Sequence, residues 1–129
     1  MKLLTLAIAL FLIFACSKSN QSTMKDHDQK QLIQEYEAIK KIYSSFSCEA
    51  TMEWTIIGLG NRACGGFQEF LAYPDNIDQE KFKQQILDYN DMEKEFNINY
   101  NIVSTCESIL PPHRVICKDG KALLVYNNY

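Results

Sequence analysis

The sequence predicts an α+β fold: two amphipathic helices packed on a small antiparallel sheet with a C-terminal β-hairpin, stapled by disulfides. Three observations carry that prediction. Two long stretches space their apolar residues as a helix does, an Asp119-Gly120 pair separates two alternating runs, and four of the five cysteines lie between residues 48 and 117.

The first stripe is Leu32, Tyr36, Ile39, Tyr43 and Phe46, at spacings of four, three, four and three. Such positions share one helix face, here flanked by Ile33 and Ile42, with Gln34, Glu37 and Lys41 opposite. Asp26 or Asp28 is placed to cap its start. A domain of this size needs the apolar area, so the stripe is assigned to the core. Ser47 to Thr51 is a polar joint that carries Cys48. Met52 to Ile57 then alternates as a strand does, and Gly58-Leu59-Gly60-Asn61 ends it in a turn.

Phe67 to Tyr73 is apolar and aromatic, either a second strand or a short irregular segment under the core. Pro74-Asp75-Asn76 breaks the chain. Asp78 suits an N-cap, with Glu80 in the first turn of a second helix. Phe82, Ile86, Tyr89, Met92 and Phe96 form its buried stripe, and the asparagines from Asn97 to Asn101 suit a left-handed exit. In the hairpin, the two-residue Asp119-Gly120 turn sets the register. Cys117 then faces Ala122 and points to the core, on the face of Val115, Leu124 and Tyr126. Arg114, Ile116, Lys118, Lys121, Leu123 and Val125 make up a more mixed and more exposed face.

Upstream, Met1-Lys2 precedes an unbroken apolar run from Leu3 to Phe14. That is the length of a signal-peptide core and short of the roughly 20 residues a membrane span needs. Ile13-Phe14-Ala15-Cys16 resembles the lipobox of bacterial lipoproteins, in which the cysteine becomes the lipidated first residue of the mature chain. The resemblance implies that residues 1–15 are removed and that Cys16 anchors the chain in a membrane by its acyl chains. No aspartate follows at the second mature position, so the expectation is the outer membrane, with its periplasmic or surface face open. Residues 16–28 have almost nothing to bury and form the expected flexible tether. Residues 29–129 are one domain.

Without Lys2 the chain has 12 basic and 16 acidic residues, a net charge of about −4. No lysine or arginine cluster stands out in the sequence, which argues against nucleic acid as a partner. Setting Cys16 aside leaves Cys48, Cys64, Cys106 and Cys117, an even set that predicts two disulfides in an exported chain. Loop-closure entropy favours Cys48–Cys64 with Cys106–Cys117. The nested alternative, Cys48–Cys117 with Cys64–Cys106, stays open. No Cys-x-x-Cys pair suggests zinc, so neither a metal nor a cofactor is expected.

The run Cys48, Glu53-Trp54, Gly58, Cys64-Gly65-Gly66, Tyr73, Ile77-Asp78, Tyr89, Tyr100-Asn101, Ser104, Cys106, Pro112, Val115, Cys117, Gly120-Lys121 and Tyr126 resembles small bacterial four-cysteine lipoproteins and secreted proteins of a Cys-Gly-Gly type. It departs from them at Phe67, where proline is expected, and at Thr105, where aspartate is expected. The resemblance implies fold and export. It implies no activity.

Catalytic chemistry finds little purchase. His27 lies in the tether and His113 follows two prolines. Paired acids such as Glu35/Glu37 and Glu93/Glu95 read as solvated helix positions. No phosphate-cradling loop, serine elbow or zinc helix is present, so no catalytic residue is assigned. The expected function is a non-enzymatic binding or structural module, with another envelope protein as a candidate partner. Its candidate surface comprises Trp54, Arg62, Gly65, Gly66, Pro112, His113 and Arg114. Exposed aromatics would mark such a surface, from among Trp54, Phe67, Phe70 and Tyr73, most of which are expected in the core. Arg62 beside the Cys64-Gly65-Gly66 amides suits either a small anion site or a tight turn. Two alternatives accompany this reading: an inhibitor or immunity-like protein using the proline-stiffened loop 107–116, and a thiol-dependent enzyme.

Overall fold

The computed structural model describes residues 2–107 and 109–127, with side chains from residue 20 onward. The leader side chains, that of Cys16 and the whole of Ser108 lie outside the described residues. The chain divides into two units, Met1–Gln31 and Leu32–Tyr129.

Helix α1 runs from Lys2 to Ser44. No glycine occurs before Gly58 and no proline before Pro74, so nothing in this stretch carries the large helix penalty of those two residues. The helix therefore continues through residues 16–28, where composition suggests a tether, and neither Asp26 nor Asp28 caps its start. From residue 20 to Gln31 its side chains are exposed, except for half-buried Lys25 and Asp28. Among the described residues, no helix is long and apolar enough to cross a membrane.

The second unit holds the core. Leu32 and Ile39 of α1 meet Leu59 of β1 (Trp54–Leu59), Leu71 and Tyr73 of β2 (Glu69–Pro74), and Phe82, Ile86 and Tyr89 of α2 (Gln79–Asn99). Tyr36, Tyr43, Phe46, Met92 and Phe96 pack around them, so both expected stripes are core stripes. At the start of α2, an Asp78 side-chain oxygen accepts from the Lys81 N–H at 3.1 Å, the expected N-cap bond. Beyond its end, Asn101 has φ 49°, in the left-handed region.

The strands form two separate antiparallel ladders rather than one sheet. In the first, Trp54 lies opposite Pro74 and Leu59 opposite Glu69. The second joins β3 (Arg114–Lys118) to β4 (Lys121–Val125), with Cys117 opposite Ala122 as the Asp-Gly turn predicts. Asp119 and Gly120 have φ of 53° and 73°, the paired positive values of a type I′ turn.

The disulfides are Cys48–Cys117 and Cys64–Cys106, the nested pairing. The near-neighbour pairing favoured by loop closure is overturned. Closure entropy grows only logarithmically, at about 0.6 kcal/mol per doubling of loop length. The separations of 69 and 42 residues are thus weakly opposed, and tertiary register decides. The Cys48 N–H donates to the Gly120 carbonyl at 3.0 Å, which seats the hairpin turn against the exit of α1. The Cys64 N–H donates to Ser104 Oγ at 3.1 Å beside the other bridge.

A buried polar ladder fixes the far end of β1. Asn90 of α2 donates to the Gly58 carbonyl at 3.0 Å and accepts from the Gly60 N–H at 2.7 Å. One turn on, Glu93 accepts from the Asn61 N–H and from the Gln68 side chain, both at 2.5 Å. Asn97 then donates to the Asn61 carbonyl at 2.6 Å. Glu93 is 9% exposed, not the solvated position its sequence context suggests. Above this ladder the Phe67 ring lies on Gly58, where a Cβ would stand 2.2 Å from ring carbons. Only glycine fits there.

Two expectations follow from these features. Peptide mapping without reduction should join the Cys48 peptide to the Cys117 peptide and Cys64 to Cys106, and removing either bridge should cost ~2–5 kcal/mol in chemical denaturation. A Cys48–Cys64 peptide would contradict the fold. Burial raises the Glu93 carboxyl above its ordinary 4.5, while the Asn61 hydrogen bond pulls the other way. The folded chain thus holds this proton more tightly than the unfolded one, and the stabilisation is complete below the ordinary value and lost as pH rises through the folded value. Glu93→Gln should remove that slope, so the variant gains Tm relative to the parent between pH 5 and pH 8. Parallel melting curves would refute the assignment.

Candidate functional site

Helix α1 ends in a double serine cap. Ser44 Oγ donates to the Lys41 carbonyl at 2.8 Å and Ser45 Oγ to the Ile42 carbonyl at 2.7 Å. The first bond satisfies a carbonyl of the last turn, and the second adds a donor to the Ile42 carbonyl, which also accepts from the Ser45 N–H at 3.0 Å. The chain then turns so that the Phe46 ring meets the Phe82 ring edge-on at 5.2 Å, with Tyr43 at 6.3 Å from Phe46. Two residues later, Cys48 ties the turn of the C-terminal hairpin to this corner.

Between these elements lies a cleft of about 780 Å³. The last turns of α1 supply Glu37, Lys40, Lys41, Tyr43 and Ser44, and β1 supplies Trp54; Phe46 and, from β4, Lys121 and Ala122 complete the wall. Trp54 is half-buried, and its indole N–H is shut off from solvent with no hydrogen-bond acceptor among the described residues. A buried donor left in this state costs about 1–3 kcal/mol.

The charge around the cleft is ordered. Lys40 Nζ meets Glu69 Oε2 at 2.9 Å, while Tyr36 donates to Glu69 Oε1 at 2.8 Å. The same ammonium lies 5.4 Å from the centre of the Tyr43 ring. Lys40 is therefore held and already neutralised. Burial, then Glu69 and Tyr126, raises the Tyr43 phenol above its ordinary value, so its hydroxyl stays neutral. Lys41 and Lys121 are exposed at the rim, with Glu37 as the one acidic lining residue.

Six of the seven residues expected to form a binding surface fall in three places, and Arg114 stands apart at the start of β3. Trp54 is in the cleft just described. Pro112 and His113 line a second cleft of about 780 Å³ with Ile109, Leu110 and Tyr126, whereas Arg114 is not among its lining residues. In that loop, the His113 N–H donates to the Val125 carbonyl at 2.7 Å, and His113 itself is exposed.

Arg62, Gly65 and Gly66 form a third locus, a tight turn that consumes its own polar groups. The Arg62 N–H donates to the Gly66 carbonyl, the Gly65 N–H donates to the Arg62 carbonyl, and the Arg62 guanidinium donates to the Glu107 carbonyl. With the Cys64 N–H on Ser104, these groups face the chain rather than a ligand. All four cysteines of the domain are in disulfides, so none offers a thiolate. Of the four candidate surface aromatics, Tyr73 is buried, Trp54 and Phe70 are half-buried and Phe67 is exposed.

Apart from Trp54, sequence reasoning missed every lining residue of the cleft, Glu37 and Ser44 as well as Lys40, Lys41, Tyr43, Phe46, Lys121 and Ala122. Tyr43 and Phe46 were accounted for by the core stripe. The lysines belong to chain segments about 80 residues apart, which the Cys48–Cys117 bridge and the Cys48–Gly120 hydrogen bond bring together. No protein-family model, curated protein or solved structure matches the chain.

Because the bridge holds the hairpin wall in place, a folded Cys48→Ser/Cys117→Ser variant should open the cleft. Its Trp54 emission should move to longer wavelength as the indole meets water, and that of Cys64→Ser/Cys106→Ser should not. Equal shifts in the two variants would show that the bridge does not set the cleft.

Proposed function

We propose that this protein is an exported, lipid-anchored, non-enzymatic binding module that takes its ligand in the cleft around Trp54. The observation that carries the reading is the cleft itself: an aromatic floor beneath a charged rim, in the size range of about 300–1,000 Å³ that suits small-molecule sites. The lipobox-like Ile13-Phe14-Ala15-Cys16 run supports anchoring at a membrane, with the domain presented on the outer membrane. Pairing of the four domain cysteines supports an oxidising compartment.

A second reading has its own supporting observation. The segment 107–116 is flanked by residues of both disulfides, contains Pro111-Pro112, and exposes Leu110 at 60%. A stiff loop with a prominent apolar side chain suits an inhibitor that enters another protein's pocket.

The two readings separate on one set of measurements. Cys16→Ser should release the protein from the membrane fraction and remove the acyl mass. The full-length Cys16→Ser protein, titrated with small-molecule extracts of the cell envelope, should show a saturable change in Trp54 emission. A flat titration overturns the cleft reading, and a mature parent chain that carries no acyl mass at Cys16 overturns the anchor. Slowing of a protease or lysozyme, lost in Leu110→Asp, would establish the second reading instead.

A further inference from the structure

We propose that the ligand of the Trp54 cleft is a small amphiphilic acid, a free carboxylate carrying an apolar body. This rests on the reading of the cleft as a binding site and adds the chemistry of its occupant.

The geometry separates two kinds of surface. The floor is apolar, formed by Tyr43, Phe46, Trp54 and Ala122, and the first three are half-buried ring systems. Rings so placed offer a large apolar contact area at little entropic cost. The rim is cationic. Lys40 is matched by Glu69, which leaves Lys41 and Lys121 without an ion-pair partner among the described residues, against Glu37 alone. An excess of positive charge at this one cleft stands out on a chain whose formal net charge is −3.

Two lysines suit a single small anion. Each ammonium is a compact, well-hydrated point charge on a flexible stem, able to follow a carboxylate at the mouth while the body stays below. Because both are exposed, the head stays at the water boundary and its desolvation cost is small. A cationic amphiphile would meet like charge at the same mouth, which supplies discrimination as well as attraction.

The test uses the full-length Cys16→Ser protein and its only tryptophan as reporter. Decanoate, decyltrimethylammonium and decyl maltoside share a ten-carbon chain and differ in head charge; all are titrated below their micellar concentrations. Decanoate should saturate the Trp54 signal at the lowest concentration. Lys41→Glu/Lys121→Glu should weaken decanoate about ten-fold and shift the preference towards decyltrimethylammonium. Lys83→Glu/Lys94→Glu, an equal charge change at two exposed positions of α2, should do neither.

Equal response to the three heads, or an unchanged decanoate preference in the Lys41→Glu/Lys121→Glu protein, overturns the proposal. If envelope extracts still saturate the signal in that case, the cleft remains a binding site and only the acid chemistry fails. If extracts and all three amphiphiles are silent, the binding reading fails with it.

Discussion

Two strands are too few. A two-stranded ribbon in water is marginal at best, and this domain has two of them without a third strand to lean on. The rest of the fold answers that deficiency. The first ribbon lies against α1 and α2 through Leu59, Leu71 and Tyr73, and the Asn90-Glu93-Asn97 ladder holds its loop end. A buried amide that both donates and accepts, as Asn90 does, leaves little freedom in how α2 can sit. The second ribbon has a thinner apolar face, with Val115, Ala122 and Leu124 only half-buried. Its attachment is covalent, through Cys48–Cys117.

That difference in attachment explains where the cleft lies. A hairpin buried flush on the core would have filled the corner beside Phe46. A hairpin tied at its turn end by a disulfide and a hydrogen bond, with β3 touching β1 and β4 touching β2, stands beside the corner and becomes a wall. The floor is then core material, Tyr43 and Phe46, whose outer edges were never covered. Trp54 sits at the first position of β1, and its indole N–H is left without an acceptor among the described residues.

Local signals in the sequence predict local structure well. The α+β class, both apolar stripes, the Asp78 cap and the Asp119-Gly120 register all depend on residues within a few positions of one another, and all are present in the fold. Long-range matters were less legible. Glu93 looks like any surface glutamate until the turn at Gly58 to Asn61 is brought over it. The disulfide pairing could not follow from chain separation, because the entropic preference for short loops is smaller than the bias of tertiary register. For the same reason only one of the nine residues lining the cleft was visible. Trp54 drew attention as the lone tryptophan, but its companions come from α1 and from β4. The start of α1 was misjudged for another reason: a polar run without glycine or proline stays helical even where it has nothing to bury.

The nested disulfides also decide what a protease can achieve. The Cys48–Cys117 bond closes a ring that takes in β1, β2, α2 and β3, and Cys64–Cys106 closes a second ring within it. A single cut anywhere between residues 48 and 117 leaves both pieces covalently joined. The exposed stretch at Val103, 90% accessible, is an obvious point of attack, and a nick there falls inside both rings. Only cleavage upstream of Cys48 parts the folded domain from the N-terminal segment that carries Cys16. Damage within the rings is therefore retained in place, while a cut in α1 before Leu32 sheds the domain with its core helix segment intact.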